Sequence, residues 1–176
     1  MSEHFVLTSV DEPRAAPLFE GLEQEYGDRY HDVIKQIGGS AREELERYPA
    51  AAFSAPHGAF LLLLRDGQAI AGGAFMAHRD AGTAEFKRIW TRHDVRRQGI
   101  ASRVLAELER NAARQGYERV YLTTGFRQPE AVQLYLKHGY QALFNLDEAA
   151  ERVVHLPFEK QLSNTINLAT VAGAHA

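Results

Sequence analysis

In the first half of this chain, apolar residues occur in continuous or alternating runs, which predict β-strands. The continuous apolar run at residues 60–64, the turn Asp66-Gly67 and the apolar stretch at 69–77 predict an antiparallel hairpin. Residues 83–91 are rich in β-branched and aromatic side chains, which is typical of a third strand in the same meander. A short first strand is predicted over residues 5–10.

Apolar residues that recur every three or four positions identify the helices, and glycine or proline residues mark several of their ends. The predicted helices are the stripe of Leu18, Leu22 and Tyr26, the segment 41–48, the segment from Ile100 to a stop at Gly116, and the segment from Pro129 to a stop at Gly139. The helical segments and the strands therefore alternate in the second half of the chain.

The second half contains a strand, helix, strand unit. Residues 83–91, the helix from Ile100 and a short buried strand at 120–124 form this unit, and its two strands are expected to run parallel. Residues 141–144 and 152–158 predict a closing hairpin. We therefore expect a single domain over residues 1–160, followed by a C-terminal tail at 161–176 that shows no regular period.

Composition and charge narrow the classes of protein. Hydrophobic residues make up 45% of the 176 residues and charged residues 24%, which is typical of a globular domain. The net charge of -3 does not favour binding to nucleic acid or to an anionic membrane. No apolar run approaches the roughly 18 residues of a membrane span, and the N-terminal residues lack the apolar core of a signal peptide. We therefore expect a soluble, cytoplasmic protein.

The chain contains no cysteine, which excludes disulfides, cysteine metal sites and a cysteine nucleophile. Its eight histidines are scattered, and no two are spaced four residues apart as ligands on one helical face would be. A metal site is therefore not expected.

The segment Arg96-Arg97-Gln98-Gly99-Ile100-Ala101 lies where a predicted strand leads into a helix. The first amides of a helix are unpaired and the helix dipole is positive at that end, so anions bind there. Gly99 permits close approach of a ligand, and Arg92, Arg96 and Arg97 add positive charge. These features predict a diphosphate site, and the alternative is an ordinary arginine-rich helix start.

Three motifs in order and spacing resemble those of the GNAT superfamily of N-acetyltransferases. They are Glu85-Phe86-Lys87-Arg88-Ile89-Trp90-Thr91, then Arg96 to Ala101, then Ala131-Val132-Gln133-Leu134-Tyr135-Leu136-Lys137-His138-Gly139-Tyr140. The resemblance covers about residues 60–158. It implies an α+β fold with a mixed, mostly antiparallel sheet, splayed parallel fourth and fifth strands, and helices on both faces.

The resemblance also implies acetyl-CoA as cosubstrate, lying between the splayed strands. The fourth strand would pair with the pantetheine arm, and the amides from Arg96 through Ser102 would hold the pyrophosphate. An asparagine common in the family is replaced by Gln128 at the aligned position. The implied cofactor-binding residues are Ile89, Trp90, Thr91, Arg96, Arg97, Gln98, Gly99, Ile100, Ala101, Ser102 and Gln128.

Two residues match catalytic positions of the family. Tyr135 matches the tyrosine that assists the departing CoA thiolate, and a phenol with a pKa of about 10 suits a thiol with a pKa of about 8.5. Glu85 matches a glutamate that serves as general base in the histone-acetylating branch. The alternatives are a core aromatic at position 135 and, at position 85, a solvated carboxylate paired with Lys87, with a chain of water molecules as the base.

These features together predict direct transfer of an acetyl group from acetyl-CoA to a primary amine of a small molecule or peptide. The acceptor is expected to meet residues 26–53 and 144–152, which the family uses for this purpose, and a homodimer is left open. One alternative is a non-catalytic acyl-CoA-binding or sensing module with the same fold. Another is an α+β interaction domain without a nucleotide.

Overall fold

The fold was analysed in a computed structural model that describes residues 2–148 and 155–162. The strands are β1 (Glu3–Thr8), β2 (Ala59–Arg65), β3 (Gln68–Ala77), β4 (Thr83–Thr91), β5 (Arg119–Gly125), β6 (Gln141–Ala142) and β7 (His155–Gln161). The helices are α1 (Ala16–Ile37), α2 (Ala41–Leu45), α3 (Ile100–Arg114) and α4 (Pro129–Lys137). Short 3-10 turns occupy Pro13–Ala15, Ala50–Phe53 and His93–Val95.

The strands form one sheet in the order β1-β2-β3-β4-β5-β7-β6. The neighbouring pairs are antiparallel except β4 and β5, which are parallel and are joined through α3. A tight turn reverses the direction of the chain and so joins antiparallel strands. Parallel neighbours therefore need a longer crossover connection, such as α3. The mixed α+β fold predicted from the sequence is confirmed.

Both faces of the sheet are covered, which explains the continuous apolar run in β2. Leu61 and Leu63 belong to the core under α3, and Phe60, Leu62 and Leu64 belong to the core under α1. A strand buried on both sides needs apolar residues at every position and not at alternate ones. The sheet therefore separates an α1 and α2 face from an α3 and α4 face.

The helix predicted at residues 41–48 begins as expected but ends early. Ser40 and Glu43 form a capping box at the start of α2. The helix ends at Leu45, three residues before the predicted end. Pro49 disfavours helical backbone at Tyr48, the residue before it. The chain instead turns back through a short 3-10 turn toward the sheet.

Two strand boundaries also differ from the prediction. β1 is shifted by two residues to Glu3–Thr8, because its pairing with β2 starts at Glu3 and ends at Thr8. β6 is shorter than predicted: its register with β7 covers Gln141 and Ala142, and the Leu143 amide adds one hydrogen bond to the Pro157 carbonyl at 2.9 Å. The closing hairpin is antiparallel as predicted. Residues 152–154 of its predicted second strand and the predicted tail from 163 lie outside the described residues.

Candidate active site

β4 and β5 separate halfway along their length. Their parallel pairing ends at Phe86 opposite Leu122. The outer edges stay paired, β4 with β3 as far as Thr91 and β5 with β7 as far as Gly125. The inner edge of β4 can therefore pair with an extended ligand, as an exposed sheet edge does in other proteins. The splay predicted for these strands is confirmed.

One extra residue in β4 changes the direction of its side chains. The register between β3 and β4 shifts within β4, so Arg88 and Ile89 share one partner position on β3. Arg88 adopts a φ of 62°, in the left-handed region that such bulges use. As a result Lys87 and Arg88 both lie on the same face of the sheet as the segment that follows α2. Lys87 Nζ is 4.7 Å from the ring centre of Tyr48, and the Arg88 guanidinium carbon is 5.5 Å from that of Phe53.

The turn from β4 into α3 presents unpaired amides. Gly99, with a φ of 73°, precedes α3, and no side chain caps the helix. The amides of residues 97–102 have no protein acceptor within the described ranges, whereas the Arg103 amide bonds to the Gly99 carbonyl at 3.3 Å. The Arg96 amide, predicted to belong to this set, bonds to the His93 carbonyl at 3.4 Å. The turn therefore offers an anion-binding helix start from residue 97 onward.

The three arginines near this turn differ in their partners. Arg92 donates to both oxygens of Asp94 at 2.6 and 2.9 Å. Arg96 donates to the Glu25 carboxylate of α1 at 3.3 Å. Arg97 is exposed and has no hydrogen bond or ion pair among the described residues. Of the predicted positive charges, that of Arg97 is the one left for a bound anion.

The predicted pantetheine-binding stretch of β4 is anchored by its side chains. Ile89 packs on the α3 side, and Trp90, which is 5% exposed, packs on the α1 side. The Trp90 indole lies against Gly21 of α1, which has no side chain to obstruct it. The Thr91 carbonyl accepts a hydrogen bond from Arg96 Nε at 3.1 Å. The main chain before Thr91 therefore remains available on the gap side.

The first residues of α3 have distinct surroundings. Ile100 is buried in the core, Ala101 is half-buried and Gln98 is exposed. The Ser102 hydroxyl lies 2.7 Å from Nε2 of His138, which follows the last turn of α4. This contact joins the start of α3 to the end of α4, so both helices border the same end of the gap.

Tyr135 lies in α4 with a buried ring, packed against Tyr140 and Phe158 at centre-to-centre distances of 5.7 and 5.4 Å. Its hydroxyl makes no hydrogen bond to any described residue. Burial raises the pKa of the Tyr135 phenol, and the neighbouring Tyr26 phenol adds to the rise. Tyr135 is therefore both a core aromatic and a protonated donor without a protein partner.

Glu85 lies at the closed end of the gap. It faces Tyr121 of β5, one position before the last parallel pair. Its carboxylate is 3.5 Å from Lys87 Nζ, so the ion pair considered as an alternative is present. No hydrogen bond or ion pair links Glu85 to Tyr135 in the part of the chain that is described. The two predicted catalytic groups approach the gap from different elements.

Gln128 precedes α4 and links this helix start to α1 and to the end of β5 through hydrogen bonds. Its Oε1 accepts hydrogen bonds from the Gly125 amide at 3.2 Å, the Tyr30 hydroxyl at 3.3 Å and the Thr124 hydroxyl at 3.4 Å. The Tyr30 oxygen in turn accepts from the Arg127 amide at 3.0 Å. The Gln128 oxygen is therefore engaged within the protein, and its amide nitrogen is the group left for a ligand.

Sequence reasoning did not single out Arg88 or assign a role to Tyr26. Tyr26 of α1 interacts electrostatically with both Arg88 and Tyr135, and burial raises its own pKa to about 12. A signal for Arg88 was present in the sequence. Strict alternation would put Arg88 on the same face as Phe86, in the core, and a charge at a core position opposite Gly72-Gly73 is typical of a bulge.

Two further features concern the described residues as a whole. No three His, Cys, Asp or Glu side chains within 2–148 and 155–162 are grouped so that they could hold a metal ion. The helices in these ranges include none with the length and apolar character needed to cross a membrane. The ionisable groups at the gap are the phenols, carboxylates and guanidinium groups described above.

Comparison with known proteins agrees with this geometry. Residues 19–140 match the model of the acetyltransferase (GNAT) family. No curated protein matches the chain significantly. Among solved structures, a protein proposed to be an acyl-CoA N-acyltransferase from Klebsiella pneumoniae has a TM-score of 0.67 at 21% identity, with 92% of this chain and 98% of that chain covered.

Two other solved structures have the same fold. The PaiA N-acetyltransferase from Thermoplasma acidophilum, in complex with coenzyme A, has a TM-score of 0.67 at 16% identity, with 92% of this chain and 99% of that chain covered. A GNAT-family acetyltransferase from Staphylococcus aureus Mu50 has a TM-score of 0.67 at 13% identity, with 92% and 100% covered. The match over residues 19–140 extends over more than half of the chain, and the protein therefore belongs to the GNAT family of acetyltransferases.

Proposed function

We propose that this protein transfers an acetyl group from acetyl-CoA directly to a primary amine of a small molecule or peptide. The observation that carries the proposal is the position of the free amides of residues 97–102 next to the unpaired edge of β4. The free amides suit an anionic group of a ligand, and the unpaired strand edge suits an extended arm of the same ligand. Acetyl-CoA contains both a diphosphate and such an arm.

The pyrophosphate is assigned to the amides of residues 97–102, with Arg97 as the nearest unpaired cation. Charge-assisted hydrogen bonds of this kind are about twice as strong as neutral ones. The pantetheine arm is assigned to the inner edge of β4 at Ile89 and Trp90. The Gln128 amide nitrogen faces no competing acceptor among the described residues and supports a contact to the same arm.

The chemistry is a nucleophilic substitution at the thioester carbonyl. The amine nitrogen forms a bond to the carbonyl carbon, the carbon–sulfur bond breaks, one proton leaves the nitrogen and one reaches the sulfur. Main-chain amides at the bulge in β4 would stabilise the oxygen as it gains negative charge. Since the chain has no cysteine, the transfer needs no acyl-cysteine intermediate and proceeds with both substrates bound.

Tyr135 is proposed to assist the leaving sulfur. Burial keeps its phenol protonated at neutral pH because its pKa lies above the ordinary value. The same apolar surroundings disfavour a bare thiolate, so a hydrogen bond or a proton from the phenol lowers the energy of the departing group. The absence of a protein acceptor for this hydroxyl among the described residues supports this role.

Glu85 is proposed as the base that takes the proton from the amine, directly or through water. A lysine-like amine has a pKa of about 10.4 and arrives mostly protonated at neutral pH. The Lys87 ammonium lies 3.5 Å from the carboxylate, beside the closed end of the gap. If water alone serves as the base, Glu85 has only the structural role of pairing with Lys87.

The test measures CoA thiol release with acetyl-CoA and a panel of amino acids, polyamines, aminoglycosides and peptide N-termini. Tyr135→Phe retains the packed ring and is expected to lower kcat by about 100-fold, within the range for removal of a general acid. Glu85→Gln is expected to lower kcat/KM most strongly at low pH, where less of the amine is unprotonated. A Tyr135→Phe protein as fast as wild type would remove Tyr135 from the chemistry.

Thermal stabilisation separates the proposal from its alternatives. A sensing module would be stabilised by acetyl-CoA but would release no thiol with any amine, and an interaction domain would not be stabilised at all. The proposed enzyme is expected to show both effects. Stabilisation without thiol release over the whole panel would contradict the proposed transfer and favour the sensing module.

A further inference from the structure

A cavity of about 410 Å³ lies on the α1 and α2 face of β4. Three aromatic residues contribute to its wall, and Arg88 lines it from the sheet. Its principal lining residues are Phe19, Glu23, Arg42, Tyr48, Phe53 and Arg88. The lining is of mixed polarity, because the aromatic rings share it with Arg42 and with the carboxylates of Asp11, Glu23 and Glu46. Part of it belongs to residues 26–53, which the family resemblance assigns to the acceptor.

The Arg88 side chain is buried but incompletely hydrogen bonded. The residue is 9% exposed, and its terminal Nη2 donates to the Leu45 carbonyl of α2. Its Nε is buried and makes no hydrogen bond. A buried donor without an acceptor is costly, and buried guanidinium groups are usually paired with carboxylates. Arg88, which lines the cavity, therefore keeps hydrogen-bonding capacity that no protein group uses.

The carboxylates that line the cavity, those of Asp11, Glu23 and Glu46, form no ion pair with Arg88. Glu44 acts on Arg88 only at a distance and forms its ion pair with Arg47 at 3.5 Å. Glu46, which also lines the cavity, pairs with Arg42 at 2.9 Å. No Asp or Glu in the described ranges forms an ion pair with Arg88. The positive charge at the strand thus has no ionic partner there.

The cavity and the proposed transfer site share strand β4. The inner edge of β4 is assigned to the pantetheine arm, and Arg88 of the same strand lines the cavity. Arg88 lies two residues beyond Phe86, where the parallel pairing of β4 ends. An anionic group bound at Arg88 would therefore hold the rest of its molecule next to the reacting thioester.

We propose that Arg88 binds the carboxylate of the acceptor, and that the acceptor is an amino acid, or a similar amine with a carboxylate, whose body is apolar or aromatic. A planar carboxylate can accept hydrogen bonds from a guanidinium group at two points. Phe19, Tyr48 and Phe53 supply the apolar wall for that body. This assignment rests on the proposed function, and it makes Arg88 a residue that determines specificity.

The first experiment compares matched amines with the wild-type protein. Phenylalanine, phenylalaninamide and phenethylamine differ in the carboxylate, and aliphatic sets such as leucine, leucinamide and isoamylamine provide a second series. Loss of a charged hydrogen-bonded pair is expected to lower kcat/KM by about 10- to 100-fold, mostly through KM. Equal kcat/KM values within each series would overturn the assignment while leaving acetyl transfer intact.

The second experiment uses variants at position 88. Arg88→Met is expected to remove the preference for the carboxylate, so that the ratio of kcat/KM for phenylalanine to kcat/KM for phenethylamine falls by about 10- to 100-fold. Arg88→Lys is expected to restore part of the preference, since the charge remains but the two-point geometry does not. Arg47→Met, an exposed arginine outside the cavity, is the matched control and should retain the full preference.

A structural role for Arg88 predicts a different result. In that case Arg88→Met would lose activity equally with all amines, and Arg88→Lys would not recover a preference. A third measurement does not depend on folding of the variants: 3-phenylpropionate should inhibit the wild-type protein competitively with the amine, and 3-phenylpropanol should not. Equal inhibition by the acid and the alcohol would overturn the assignment. Failure of every amine to release CoA would contradict the proposed function instead.

Discussion

Gly21 and Gly27 occupy the same helix, α1, but the same substitution should change stability in opposite directions. A helical glycine replaced by alanine normally gains up to about 1 kcal/mol. A Cβ at Gly27 would meet nothing within 4 Å, so Gly27→Ala should gain most of this amount. A Cβ at Gly21 would lie 2.2 Å from Nε1 of Trp90 and 2.9 Å from its Cε2.

The indole cannot move aside cheaply, because Trp90 is 5% exposed and packed in the core under α1. Overpacking of this kind costs about 1–3 kcal/mol, which exceeds the helix-propensity gain. Gly21→Ala should therefore lower the free energy of unfolding by about 1–2 kcal/mol. For a domain of this size, Tm would fall by roughly 2–8 °C, whereas Gly27→Ala would raise it by roughly 2–4 °C.

Urea unfolding and thermal unfolding of the two variants measure the difference. Gly21→Ala should also weaken stabilisation by acetyl-CoA, because Trp90 belongs to the strand assigned to the pantetheine arm. Combining it with Trp90→Leu should relieve the clash, so the double variant should be more stable than the sum of the single effects predicts. A Gly21→Ala protein as stable as Gly27→Ala would refute the close packing of α1 on β4.

Three other predictions concern the anion site and the ionisable groups. Arg97→Gln should weaken CoA binding by about 3- to 10-fold at low salt and less at high salt, whereas Arg92→Gln, whose charge is already paired with Asp94, should have a smaller effect in calorimetry. Gly99→Ala should also weaken CoA binding and cost about 1 kcal/mol of stability, because its φ of 73° is strained for other residues. Burial raises the pKa of Tyr26 to about 12, above the unfolded value of about 10, so its contribution to stability is present below pH 10 and is lost as pH rises to 12. Chemical unfolding across that interval should show a smaller loss for Tyr26→Phe than for wild type, and equal losses would contradict the burial of this phenol.

Local pattern was sufficient to predict most of the fold. Thr83–Thr91 was predicted to the residue, and the parallel strand that follows α3 was predicted because the helix between them enforces the crossover. The ends of β1 and α2 were wrong by two or three residues. These ends depend on pairing with β2 and on Pro49, and periodicity does not capture either effect.

The candidate site was harder to predict from the sequence than the fold. The motif around Gly99 and the position of Tyr135 indicated the anion site and the α4 phenol. The partners of each charge could not be predicted, since the pairing of Arg96 with Glu25 joins residues far apart in the chain. The cavity beside Arg88 also depends on tertiary packing, because it is enclosed by α1, α2 and β4 together.

The bulge in β4 shows how evolution can add one side chain to this strand without disturbing the core. Phe86 and Ile89 face α3, while Lys87 and Trp90 face α1 and α2. If Arg88 were deleted, the four remaining residues would alternate regularly between the same two faces. A single inserted codon thus adds a cation to the α1 and α2 face of β4 without reversing any core side chain. Gain or loss of one residue at this position changes the charge of this face while the sheet keeps its register.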